Sequence, residues 1–179
     1  MIRTFLIAFT ITVLGCGGNE GRAPAVERRV PQTQEEMIQE NRDAIKLENH
    51  DIDLYVKRSK FEMNTTGTGI RYSFLRDSAG TTAQAGQWAM VNYHALLLNG
   101  DTAYSSETGE PESFKVEMDD VESGLHEAIQ LMSPGDSAVI IIPSYRAHGL
   151  IGDQNKIPMR SSIVYHIGLV KLSGQRIDR

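Results

Sequence analysis

Ala138-Val139-Ile140-Ile141-Ile142, stopped by Pro143 and followed by a loop that ends in Lys156-Ile157-Pro158, decides the fold. A short, β-branched apolar run closed by proline reads as a strand. Ahead of it, Ser133-Pro134-Gly135-Asp136 supplies a turn. Ahead of that, Val121, Leu125, Ala128, Ile129 and Met132 recur at helical spacing behind Asp119-Asp120, which reads as the cap of one helix. Beyond the loop, Ser162 to Leu172 reads as a closing strand.

Upstream, the period is two from Gly69, with Ile70, Tyr72 and Phe74 on one face and Arg71, Ser73 and Arg76 mostly toward solvent. Gln87 to Leu98 is a long strand, Asn99-Gly100 a hairpin signal, Asp101 to Ser106 the return strand and Phe114 to Met118 a further short one. Mostly antiparallel strands with one helix give an α+β class. Thr33 and Glu36 have capping-box spacing, so a first helix is expected from Gln34 to about Asn49. Asn49-His50-Asp51 reads as a break, after which Ile52, Tyr55 and Val56 lead a second short helix. This helical preface, residues 34–66, is expected to shield a sheet edge or hold the main domain, 67–172, off a bilayer, with 173–179 as a tail.

Residues 1–15 carry Arg3 and then an apolar run from Thr4 to Leu14, too short to span a bilayer as a mature helix, and read as a targeting segment. Val13-Leu14-Gly15-Cys16 resembles the lipobox of bacterial lipoproteins, which implies cleavage before Cys16 and acylation of its thiol. Cys16 is the single cysteine of the chain, so no disulfide framework competes for it. Several acyl chains on one residue anchor firmly where one binds marginally. Gly17 to Thr33 is rich in Gly, Pro and charge and reads as a tether, so 16–33 form the lipidated linker. The chain's formal charge of −5 argues against nucleic acid as a partner.

Residues that carry reactive chemistry are sparse. His94, His126, His148 and His166 stand singly, and no spacing suits a metal. Ser144 and His148 lack the strained Gly-x-Ser-x-Gly turn of a hydrolase. No cofactor is implied. What remains is chemistry done by a shaped apolar hollow, and the amide bond before a proline suits it, because isomerisation makes and breaks no bond. The barrier is about 18–20 kcal/mol, most of it amide resonance. Uncatalysed turnover takes roughly tens to hundreds of seconds, slow enough to limit folding of an exported protein.

The motifs follow a fixed order: Asn92-Tyr93, a hairpin, Tyr104-Ser105-Ser106, then Gly124-Leu125 and Leu131-Met132 on a helix. Pro134-Gly135-Asp136, an apolar strand ending in Pro143, Ala147-His148-Gly149, Ile157-Pro158 and a last strand with Tyr165 complete it. Over about Gly67 to Leu172 this set resembles the FK506-binding-protein (FKBP) type of peptidyl-prolyl cis-trans isomerase. Within that family it is most similar to the lipoprotein isomerases associated with gliding motility in the Bacteroidetes group, which share a lipobox, a helical preface and a Tyr-Ser-Ser hairpin. The resemblance implies a curved antiparallel sheet wrapped around one short helix, with the substrate proline between helix and concave face. It implies Tyr93 at the pocket wall, Val121 at the helix start, Ile157 before the loop proline and Tyr165 in place of a last-strand phenylalanine. Phe114 matches the aromatic of the short strand before the helix.

Departures from the pattern are as informative. Ala103-Tyr104 stands where the family has Phe-Asp, which removes an aromatic wall and a carboxylate. Leu125 replaces the floor tryptophan, His148 the tyrosine that donates to the substrate carbonyl, and Glu122 a usual isoleucine. A histidine still donates through a ring N–H, but together these changes count against binding of an FK506-type macrolide. The expected site is therefore Tyr93, Phe114, Val121, Leu125, His148, Ile157 and Tyr165, with His148 and the Ile157 backbone holding the peptide. The expected activity is prolyl isomerisation in unfolded or exported proteins, lipid-anchored in the bacterial cell envelope and facing the periplasm. Ala103, Tyr104 and Leu125 keep two alternatives open: a chaperone-like binding module weak in isomerase activity, and a structural subunit of a motility or secretion apparatus.

Overall fold

Among the described residues, seven strands form one antiparallel sheet in the order β1-β2-β6-β7-β3-β4, with β5 pairing to β3 beside this path. They are β1 Asn64–Thr65, β2 Arg71–Arg76, β3 Trp88–Leu97, β4 Thr102–Ser105, β5 Glu112–Lys115, β6 Ser137–Ile142 and β7 Ile163–Ser173. Helices α1 Gln34–Arg58 and α2 Ser123–Ile129 accompany the sheet, whose described strands do not close into a barrel. This computed structural model describes residues 33–106 and 110–177; the expected targeting segment, Cys16 and the tether up to residue 32 lie outside them.

The decisive apolar run is β6, and both of its faces are buried for different reasons. Ala138, Ile140 and Ile142 point into the main core with Ile163, Tyr165, Ile167 and Leu169 of β7. The alternate residues, Val139, Ile141 and Val164, pack on the opposite face against Ile52 of α1. A strand covered on both sides reads as a continuous apolar run. The α+β architecture expected from the sequence is the observed one.

The preface differs from the sequence reading. Its helical part, Gln34–Arg58, is unbroken across Asn49-His50-Asp51 and packs on the convex face of the sheet, while Asn64–Thr65 of the same segment is strand β1 and pairs with β2 at the sheet's edge. The predicted cap holds: Thr33 Oγ1 accepts from the Glu36 N–H at 3.2 Å. The predicted break does not, because docking outweighs the weak helix propensity of Asn, His and Asp. Ile52 is fully buried. Beside it, Arg71 donates to Asn49 at 2.9 Å and to Asp53 at 3.1 Å, so the arginine assigned to solvent is buried beneath the helix.

Helix α2 is shorter than its apolar spacing suggests. It begins after Glu122 with no side-chain cap, so Asp119-Asp120 is not the cap pair; Asp119 instead accepts the Lys115 N–H at 2.7 Å and fixes the turn after β5. Gly124 lets the helix lie directly on the sheet, since a Cβ there would collide with Ile142 and the Arg146 carbonyl. After β6 the chain makes a 3-10 turn at Ser144–Arg146 and a long loop back to β7. Gly152, at φ +67°, permits a crossing in which any side chain would meet the Ile157 carbonyl.

Candidate active site

Beside α2 the concave face carries a hollow of about 650 Å³. Tyr93, Phe114, Val121, Leu125, His148 and Tyr165 line it, together with Val91 and Ile167. Adjacent strands present the two tyrosines: β3 and β7 pair Ala95 with Tyr165 and Tyr93 with Ile167, so the phenols sit diagonally on one face. Their ring centroids are 5.9 Å apart with a 54° tilt. Phe114 faces inward from β5 opposite the small Ala89 and is 6 % exposed. Leu125 rises from α2, Val121 lies in the link before it, and His148 follows the 3-10 turn.

Ile157 lies beside the hollow, behind Asp153, rather than on its wall. It is buried in the core and does not line the hollow. Its N–H donates to Asp153 Oδ1 at 2.7 Å and its carbonyl accepts from the Asp153 N–H at 3.1 Å. The backbone groups offered to a peptide in the sequence reading are thus engaged within the loop.

The hollow is also less purely apolar than expected, because Glu112, Asp120, Glu122 and Asp153 line it too. Glu122 Oε1 accepts from the Tyr165 hydroxyl at 2.9 Å and lies 3.0 Å from His148 Nε2. Its carboxylate, 11 % exposed, ties the last strand to the loop. With Nε2–H committed there, Nδ1 of the neutral ring is an acceptor, so a peptide carbonyl gains a ring N–H by displacing Glu122 or from the doubly protonated imidazole. Burial first, and then the Glu122 charge, raises the Tyr165 phenol well above its ordinary value. Burial and Glu112, whose oxygens lie 3.4 Å from the hydroxyl, push Tyr93 up to about 12. Both rings therefore keep their O–H groups across the physiological range.

Asp153 anchors the opposite wall. Desolvation opposes its ionisation, but hydrogen bonds from the Tyr104 hydroxyl and from the N–H groups of Asn155, Ile157 and Lys156 hold it well below the usual carboxylate range. The same bond raises Tyr104. Asp153 followed two residues later by Asn155 is a local turn signal visible in sequence. Its link to Tyr104, 49 residues away, is not. Glu122 was visible as an acidic residue in an apolar position, though nothing local named its partners. His126, buried, accepts the Glu117 N–H at Nδ1 and lies 3.0 Å from the Asp119 carbonyl at Nε2, a satisfied structural histidine. Among the described residues no cluster of His, Cys, Asp and Glu could hold a metal ion.

The family model for the FKBP-type peptidyl-prolyl cis-trans isomerase matches residues 79–170, from the segment before β3 through most of β7. The chain belongs to that family. It is 27% identical over 155 residues to a probable FKBP-type peptidyl-prolyl cis-trans isomerase FkpA of Neisseria meningitidis, a match covering 79% of this chain and 56% of that protein. It is 27% identical over 161 residues to the FKBP-type 22 kDa peptidyl-prolyl cis-trans isomerase of Escherichia coli, covering 86% and 77% respectively. The crystal structure of FkpA from Escherichia coli aligns with a TM-score of 0.63 at 26% identity, over 77% of this chain and 64% of that one. The chain thus spans little more than half the length of its Neisseria relative. Tyr104 and Asp153, hydrogen-bonded to each other, both line the hollow.

Proposed function

We propose that the chain isomerises X-Pro bonds in unfolded or exported proteins, held to the bacterial cell envelope by acyl chains on Cys16 and facing the periplasm. Within the family we place it near the gliding-associated lipoprotein isomerases. The observation that carries the catalytic reading is the hollow itself, about 650 Å³ and walled by Tyr93, Phe114, Val121, Leu125 and Tyr165. That volume is typical of small-ligand sites.

Water stabilises the planar, polar amide by hydrogen-bonding its oxygen. Moving the X-Pro bond among rings and aliphatic groups removes that stabilisation and favours the twisted, less polar transition state. Glu122 steadies the Tyr165 ring and the His148 imidazole, so the wall is formed before substrate arrives. No proton is transferred. Leu125 in place of a large aromatic floor leaves an FK506-type macrolide poorly held.

A second reading has its own support: Tyr165 and His148 both spend a polar group on Glu122, so a peptide carbonyl must compete for a donor. On that reading the hollow binds unfolded segments and turns them over weakly. Protease-coupled turnover of an Ala-Leu-Pro-type peptide by the full chain decides. We expect saturable turnover whose pH dependence around histidine titration enters through peptide binding; absence of turnover with retained suppression of client aggregation gives the second reading. Cys16→Ser is expected to release the chain from the membrane fraction, and retention there contradicts the anchor.

A further inference from the structure

The loop that carries His148 and Asp153 to the hollow is gripped from outside it by α1, at its two ends by the buried bonds of Glu48 and more loosely through Arg160 on Asn41 and Glu40. Glu48 Oε1 accepts from the Ser144 N–H at 2.6 Å and from the Ser162 hydroxyl at 2.5 Å, while Oε2 accepts from the Ser144 hydroxyl at 2.9 Å. Ser144 opens the loop directly after Pro143, and Ser162 closes it directly before β7. Both serines are buried, at 6 % and 3 % exposure. A charged acceptor with three short donors is among the stronger polar arrangements available to a protein, and orphaning two buried hydroxyls carries a penalty of its own.

The rest of the loop amplifies this grip. Gly149 donates to the Ser144 carbonyl at 2.8 Å and Arg160 to the Gly149 carbonyl at 2.9 Å, so the segment around His148 is tied to the residue that Glu48 holds. On the far side, Arg146 pairs with Glu127 of α2 at 2.9 Å. The segment leading into His148 is thus held from both helices, at Ser144 by Glu48 and at Arg146 by Glu127. Glu48 and Ile52 lie one turn apart on α1, so the helix seats its apolar contact and its clamp together.

We propose that Glu48 is a positioning residue for isomerisation, through which α1 sets the geometry of the loop bearing His148. This rests on the isomerase reading above. It makes the preface helix part of the active site's scaffold rather than a spacer.

The test compares the full chain with Glu48→Ala, Glu48→Gln and Ser162→Ala, each alone and with His148→Ala. We expect Glu48→Ala to lower kcat/KM roughly tenfold, mainly through KM, with Glu48→Gln and Ser162→Ala in between. The cost of Glu48→Ala should shrink when His148 is already alanine, because the two act on one geometry. Amide exchange should rise in residues 144–162 and stay at parental levels in β2 and β3. Additive losses, or parental exchange in the loop, would overturn the proposal. If the parent chain shows no turnover, the isomerase reading fails, and the exchange result alone then judges whether Glu48 holds the loop. Should Glu48→Ala not fold, Ser162→Ala carries the same comparison.

Discussion

Strands β6 and β7 have two apolar faces, both buried but differently bordered. On the convex side, Val139, Ile141 and Val164 meet Ile52 of α1 and are sealed. On the concave side, α2 spans only Ser123–Ile129, and Tyr165 and Ile167 border open space. The same sheet therefore builds stability where a helix fills it and a reactive environment where a helix stops short. Apolar surface left unfilled beside a filled twin is the mark of a site rather than a packing fault.

Breaking the sealed face should have the larger effect, and on stability. Ile141→Ala, at a fully buried position, is expected to cost about 2–5 kcal/mol in denaturant unfolding, with kcat/KM per folded molecule falling less than in Glu48→Ala. A matching loss of activity in folded protein would dissolve the distinction between the faces. Tyr165→Phe sharpens it from the other side. It keeps the ring and removes the hydroxyl bonded to Glu122, so turnover should fall roughly threefold to tenfold while stability moves by about 1 kcal/mol.

These two faces were unequally legible in sequence. Most strands, the Asn99-Gly100 hairpin and the apolar run of β6 are local patterns and could be read directly, as could the ordered motifs that carry the family; β1, two residues held only by pairing with β2, was not, and β5 lies about two residues earlier than expected. That β6 is apolar on both sides was visible, but what covers the convex face was not. The covering contact joins Ile52 to residues far along the chain, and it also carries α1 through the apparent break at Asn49. In the hollow, Tyr93 and Tyr165 were found through their place in the pattern. Glu122 and Asp153 acquire meaning from Tyr165, His148 and Tyr104, partners supplied by the fold alone. Ile157 was misplaced because the loop turns its backbone onto Asp153.

A smaller effect concerns titration. Tyr93 is raised to about 12 while an unfolded tyrosine titrates near 10. The unfolded chain therefore loses its proton first, so this contribution to stability is complete below pH ~10 and is lost as pH rises toward ~12. Phenolate absorbance should show the late titration, and Glu112→Gln should reduce but not abolish it, since burial is the larger cause. The smallest effect is on substrate choice. Glu112, Asp120, Glu122 and Asp153 outnumber Lys156, which lies 5.0 Å from the Tyr104 ring, so the mouth favours cationic peptides. A lysine before proline should lower KM roughly twofold to threefold relative to glutamate at low salt, and the difference should fade as salt rises.

In the proposed mechanism, withdrawal from water lowers the cost of rotating the prolyl amide and no proton moves. The decisive comparison is kcat/KM for an Ala-Leu-Pro-type peptide in H₂O and in D₂O. Desolvation alone gives a ratio of about 1; a ratio of roughly 2 or more, lost in His148→Ala, would show a proton moving in the rate-limiting step.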